Sequence, residues 1–177
     1  VNQDFECNDH LPTVQTSLQI ALQEMRTIAT SLGLPQLDNM PLTEVFARVV
    51  RSHEKRTRTK VTLNINNLPE QATLPAKITI YRVIQEALNN AYIHAGGMDQ
   101  QVRANFENGR LQIEISDKGR GFDVSLPIEW DNHLGLAGMR ERVESLGGLF
   151  EIQSVISEGT IVNANLFLQD MDVYADR

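Results

Sequence analysis

The sequence predicts an α+β fold: a two-layer α/β sandwich whose mixed, mostly antiparallel sheet carries helices on one face, preceded by one long heptad helix. Three observations predict it. The periodicities run in the order helix, strand, helix, hairpin, helix, hairpin, which segregates helices from an antiparallel sheet and is not the βαβ alternation of a doubly wound fold. Ile80, Ile84, Ala87, Leu88, Ala91 and Ala95 recur at helical spacing, a broad apolar stripe for a helix lying on a sheet. Val102, Ala104 and Phe106 alternate, as do Leu111, Ile113 and Ile115, and Asn108-Gly109 between them is the dipeptide of a tight hairpin.

Residues 1–10 are polar and aperiodic. From there Leu11, Leu18, Met25 and Leu32 stand seven apart with Val14, Ala21 and Ile28 between them, a two-position heptad seam with Pro12 tolerated in the first turn. Such a helix either packs on its own domain or forms half of a dimerisation bundle completed by another chain. Gly33, Pro35, Asp38, Asn39 and Pro41 punctuate the next stretch. The domain boundary is therefore expected there, with 1–36 before it, 37–170 as the main domain and 171–177 as an acidic tail. Leu42, Val45, Phe46, Val49 and Val50 predict a helix over about 42–58, whose basic end (Lys55, Arg56, Arg58, Lys60) reads as a solvated C-terminus. Val61–Ile65 alternates as a strand, and the helix bearing the apolar stripe begins near Ala76. After the hairpin comes a long loop, 123–134, with Pro127, Trp130 and His133. Then a helix is expected over about 138–147, ended by Gly147-Gly148. Strands Leu149–Val155 and Ile161–Phe167 complete the order.

The net charge of −7 excludes a general nucleic-acid binder, whose phosphate contacts need a Lys/Arg surplus. It leaves room for a small polyphosphate, which needs only a few local donors. One cysteine, Cys7, excludes an intrachain disulfide and a multi-cysteine metal site. No run approaches the ~18 apolar residues of a membrane span. The sequence opens at Val1 rather than Met, so a fragment is expected, with any membrane segment outside it.

Four pieces carry candidate chemistry. On the polar side of the striped helix, Arg82, Glu86, Asn90 and His94 follow at i+4 intervals and share a face, flanked by Gln85 and Asn89. An Asn carbonyl is a suitable oxygen ligand for Mg²⁺, which otherwise keeps waters and phosphate oxygens. Asp117-Lys118-Gly119-Arg120-Gly121 ends a strand with a carboxylate able to accept from an exocyclic amine, and glycines that let backbone approach a flat ligand. Gly135-Leu136-Ala137-Gly138-Met139 reads as a glycine-rich entry to a helix, whose amides suit a phosphate. Glu158-Gly159-Thr160 lies between two strands. Taken singly, each has a plain structural explanation: a solvated face, a turn, a helix start, a hairpin. The G-x-x-x-x-G-K-[ST] phosphate loop is not present, and His10, His53, His94 and His133 show no ligand spacing.

Together and in this order the pieces resemble one family. Gln85-Glu86-Ala87-Leu88-Asn89-Asn90-Ala91 with His94-Ala95 resembles the N box of the GHKL (Bergerat-fold) ATPases. Asp117–Gly121 resembles the first glycine box, Gly135–Met139 followed by Arg140-Glu141-Arg142-Val143 the second, and Gly159-Thr160 the terminal Gly-Thr element. The wording YRVIQEALNNA and GLAGMRERVESLGG is similar to sensor histidine kinases of the nitrate-sensor and desaturase-thermosensor type. The resemblance implies ATP and Mg²⁺ as ligands, with Asn90 on the metal, Glu86 as general base or water-orienting carboxylate, and His94 near the phosphates. It implies Asp117 on the adenine amine, Gly119 and Gly121 shaping that pocket, Gly135, Leu136, Gly138 and Met139 in an ATP lid, and Thr160 supporting the adenine end. It also implies 1–36 as the remnant of a dimerisation domain, a homodimer through an N-terminal helix bundle, a response-regulator receiver domain as partner, and a cytoplasmic location for this part of the chain.

Two departures matter. Lys118 stands where the family commonly has Asn, which leaves the backbone role but not a side-chain contact. The heptad helix fits the second dimerisation helix, whereas His10, followed by Leu11-Pro12, does not match the phosphoacceptor motif of the first. The expectation is a chain that binds ATP and cannot phosphorylate itself. The alternative is a module of the same ATPase superfamily acting as a nucleotide-dependent conformational or scaffold protein without kinase output.

Overall fold

The computed structural model describes residues 37–123 and 134–168; the heptad helix, the core of the long loop and the acidic tail fall outside them. The elements are α1 (Leu42–Thr57), β1 (Val61–Asn66), α2 (Leu74–Ala95), β2 (Gln100–Glu107), β3 (Arg110–Asp117), α3 (Leu134–Glu144), β4 (Leu149–Val155) and β5 (Gly159–Phe167). The five strands form one sheet in the order β1-β2-β3-β5-β4. β1 and β2, joined through α2, run parallel, and the other three pairings are antiparallel.

Burial alternates along the strands because one sheet face carries the helices. Val102 and Ala104 of β2, Leu111, Ile113 and Ile115 of β3, and Val162, Ala164 and Leu166 of β5 are buried on that face. The reverse face shows Arg103, Gln112 and Glu151 to solvent. Phe46 and Val49 from α1, Ile80, Ile84 and Leu88 from α2, and Met139 and Val143 from α3 close the core from the helix layer, each at most 1% exposed. Asn108 and Gly109 both have positive φ, 52° and 75°, as the expected two-residue hairpin turn requires.

The helix expected over about 138–147 starts at Leu134 and ends at Glu144. Gly135, Leu136, Gly138 and Met139 therefore lie within its first turns rather than in an entry loop. Tertiary packing overrides the weak helix preference of glycine here. Met139 and Val143 bury one face. A methyl on Gly135 would meet the Glu86 carboxylate, and one on Gly138 the Arg142 guanidinium at 2.8 Å. The expected glycine cap does form: Gly147 has φ 70°, its N–H donates to Glu144 O at 2.9 Å, and Gly148 N–H donates to Val143 O at 3.0 Å, the double bond of a Schellman motif.

Several buried polar groups were not foreseen, and Lys77 and Gln100 are the least exposed of them. Lys77, 1% exposed, donates from Nζ to the Asp38 carbonyl at 2.7 Å and to Gln71 Oε1 at 2.9 Å, fastening the segment before α1 to the first turns of α2. Gln100 donates to the Leu88 carbonyl at 2.9 Å and accepts at Oε1 from Thr59 and His53 Nε2. Burial holds the His53 imidazole below its ordinary pKa, the Gln100 bond opposing and nearby Arg56 reinforcing the effect. His53 is thus a neutral pin between α1, α2 and β2.

Candidate functional site

α2 positions both ends of the site. Its apolar stripe is pressed on the sheet, so the opposite row, Arg82, Glu86, Asn90 and His94, faces outward; the first three are half-buried and His94, in the last turn, is exposed. Gln85 is held by Arg82 at 2.6 Å, and Asn89 accepts from Arg56 of α1 at 3.2 Å. Among the described residues no side chain bonds the Asn90 amide, which stays available to a ligand. α3 begins against Glu86: the Gly135 backbone sits so close that a Cβ there would be 2.3 Å from a Glu86 carboxylate oxygen.

The other end is a polar row across three strands. In the sheet register Asp117 of β3 faces Thr160 of β5, and Thr160 faces Ser154 of β4. These residues continue the inward phase of the strands past the last core side chains, so the hydrophobic layer ends in a carboxylate and two hydroxyls. Asp117 Oδ1 accepts the Gly119 N–H at 2.8 Å, and the Thr160 N–H also bonds the carboxylate. Gly119 lies against the last turn of α2, where a Cβ would stand 2.0 Å from Ala95 Cβ. Gly121, with φ 56°, lies against Val155, whose carbonyl oxygen a Cβ would approach to 1.9 Å. Lys118 N–H donates to Met98 O and Ser157 N–H to Arg120 O, so the loop is clamped by backbone on both sides. The Lys118 side chain is exposed and pairs with Asp99 at 3.6 Å; the contact that an Asn would make is not replaced.

The structure thus brings Asp117, Gly119, Gly121 and Thr160 together at one end of α2 and Glu86 with Gly135 nearer its middle. The helical rise between Glu86 and Ala95 is about 13 Å. Met139 is fully buried, so its place is the packing beneath α3 rather than a ligand surface. An open concavity of about 390 Å³ runs along α3, lined among the described residues by Ala137, Arg140, Glu141, Glu144 and Ser145, none of them a candidate site residue. Sequence reasoning missed Ser154. The signal was there: Phe150, Ile152 and Ser154 share one phase of β4, and a hydroxyl in an apolar phase marks a place where the core gives way to something polar.

The sequence profile of the Histidine kinase-, DNA gyrase B-, and HSP90-like ATPase family matches residues 76–170, more than half of the chain, from the first turn of α2 to past the end of β5. The chain belongs to this ATPase family. Among its relatives, the Sensor histidine kinase MctS of Rhizobium johnstonii is 31% identical over 78% of this chain and 30% of that protein. The Oxygen sensor histidine kinase NreB of Staphylococcus carnosus is 28% identical over 93% of this chain and 47% of that protein. The ATPase chain therefore spans less than half the length of these relatives. A histidine kinase domain from Erythrobacter litoralis shares the fold, with a TM-score of 0.62 at 22% identity over 77% of this chain and 66% of that one. As an ATPase-family domain the chain binds ATP.

The Asp117 carboxyl is pushed above the ordinary carboxylate range by burial, against the lowering effect of its two backbone donors. An acid raised by folding is one the folded state prefers to protonate, so its burial subtracts from stability above the raised pKa, and that cost is relieved as pH falls through it. A ligand amine bonded to this carboxyl would run the other way, since the ionised form is the stronger acceptor. ATP affinity is expected to weaken by up to about tenfold per pH unit below that pKa, and the Asp117→Asn variant to lose this dependence. Calorimetric titrations of both proteins between about pH 7.5 and pH 4.5 check it; parallel pH profiles would remove Asp117 from the base contact.

Proposed function

We propose that the chain is the catalytic ATP-binding part of a two-component sensor histidine kinase, moving the γ-phosphoryl group of ATP to a histidine on a partner helix bundle. The observation that carries this is the span of α2: an acceptor row at Ala95–Asp117 suited to a base, and an acidic and amide face beginning at Glu86 suited to metal and phosphates, about 13 Å of helical rise apart. The names of the relatives, all sensor histidine kinases, favour this over a scaffold ATPase without kinase output.

In this reading Asp117 accepts the adenine amine, Thr160 flanks it, and Gly119 and Gly121 shape the pocket by letting the loop close tightly on Ala95 and Val155. The half-buried Asn90 amide fits a Mg²⁺ ion, because its oxygen is uncommitted and hard cations of this size take few protein oxygens. Mg²⁺ when bound supplies charge neutralisation for the phosphates. Glu86 accepts the proton of, or orients, the attacking group beside the first turn of α3, and His94 stands one turn beyond Asn90. Gly135, Leu136 and Gly138 form the base of a lid whose preceding stretch lies outside the described residues. Residues 1–36 are read as the second helix of a dimerisation domain, giving a homodimer in the full-length protein, with a response-regulator receiver domain as the later phosphoryl acceptor. A cytoplasmic location, where ATP is supplied, goes with this reading. No helix among the described residues is long and apolar enough to cross a membrane.

The test is reconstitution. Mixed with a separate helix-pair domain from a parent kinase and Mg-ATP, the chain is expected to yield phosphohistidine on the added domain. The Glu86→Gln variant should lower that rate by about 10²- to 10⁴-fold, the usual range for a general base, while ATP affinity changes little. ATP hydrolysis or binding without any transfer would favour the scaffold alternative.

A further inference from the structure

Ser154 is 6% exposed and its hydroxyl makes three hydrogen bonds. It donates to Gly159 O at 2.9 Å, accepts from Phe122 N–H at 2.9 Å, and lies 3.0 Å from the Thr160 hydroxyl. A serine hydroxyl has one proton and two lone pairs. The proton is committed to a carbonyl, which can only accept, and one lone pair is committed to an amide, which can only donate. The third bond must therefore have Thr160 as donor. That fixes the Thr160 hydroxyl: its proton points at Ser154, and only lone pairs remain for the half-buried side of the residue. Asp117, next in the same row, is also acceptor-only when ionised.

Resting on the ATP-site reading, we propose that Ser154 is a positioning residue that sets base specificity. By drawing the Thr160 proton away from the cleft, it makes this end of the pocket accept hydrogen bonds only, and so favours a base with an exocyclic amine over one with a carbonyl at that place. Buried polar groups left facing a like partner are what make such discrimination steep. The same hydroxyl joins the loop after Asp117, through Phe122, to the β4–β5 turn, through Gly159, so the acceptor row is held as one piece.

The experiment compares ATP with ITP, whose 6-oxo group replaces the amine, on the full chain by calorimetry, with melting curves alongside. The wild type should prefer ATP by about 100-fold or more, in line with sites built around a ligand's polar group. In Ser154→Ala the Thr160 hydroxyl is free to rotate and donate, so the preference should fall by about tenfold through weaker ATP and unchanged or tighter ITP binding. Equal weakening of both nucleotides, or an unchanged ratio, overturns the proposal, because a purely structural role moves both alike. Should Ser154→Ala not fold, Thr160→Val decides: loss of the acceptor should weaken ATP and spare ITP, and equal loss again overturns it. Failure of the underlying ATP-site reading is distinct, appearing as no saturable ATP binding by the wild type.

Discussion

Replacing Asn90 with alanine is expected to erase the Mg²⁺-dependent part of nucleotide affinity and to reduce turnover by about 100-fold or more, while leaving the protein folded. The residue sits on the outward row of α2, half-buried, between the core positions Leu88 and Ala91. No described partner would be stranded by its removal, and alanine is the better helix former, so stability should hold or rise slightly. A loss of affinity in this variant is therefore a loss of ligand contact and not of structure. Titration with ATP in Mg²⁺ and again in a chelator reads it directly. The wild type should bind more tightly with metal, and the variant should show a ratio near one. An unchanged ratio and turnover would remove Asn90 from the metal position.

Gly159→Ala is expected to be among the most damaging single methyls in the described chain. Gly159 opens β5 with φ 100°, and a Cβ there would fall 2.0 Å from the Asp117 carbonyl oxygen and 2.9 Å from Lys118 Cα. Both obstacles are backbone, locked by the β3–β5 pairing and by the Lys118 bond to Met98. The backbone conformation and the collision add, so the cost should reach about 3 kcal/mol or more, with the acceptor row displaced and ATP affinity lost along with it. Gly109→Ala supplies the comparison. Its φ of 75° is also positive, but nothing lies within 4 Å of the added carbon, so only the conformational cost of about 1 kcal/mol applies. Denaturant melts of the two variants should differ by about 2 kcal/mol or more; similar midpoints would show that the turn at Gly159 yields.

Most of the architecture was legible because its signals are local. The stripe Ile80–Ala95, the Asn108-Gly109 turn and the alternation in β3 each report on the residues that form them. What escaped reading depends on contacts made at long range. Gly135 and Gly138 look like punctuation until the Glu86 and Arg142 side chains are placed against them, and then they are helix positions over which those side chains lie. Lys77 carries the charge of a surface residue, and only the Asp38 carbonyl and Gln71 explain its burial. The candidate site divides in the same way. Glu86, Asn90 and Asp117 are candidates through the motifs they belong to, whereas Ser154 acquires meaning only through its register with Thr160. Assignment of the family needed all four pieces in order, since each alone had an ordinary structural explanation.

The row from Asp117 through Thr160 to Ser154 also bears on how the protein folds. Ser154 and Thr160 meet across the local β4–β5 hairpin, but Asp117 joins them only when β5 pairs with β3, distant in sequence, and such pairings close late because of their loop entropy. A partly folded chain with α1, α2 and the β2–β3 hairpin in place would hold the outward row of α2 but not the completed polar row. Nucleotide would then recognise the finished domain alone, adding stability by mass action and slowing unfolding rather than hastening folding. The pocket is a late product of the chain, and its ligand a lock applied after the last strand has joined.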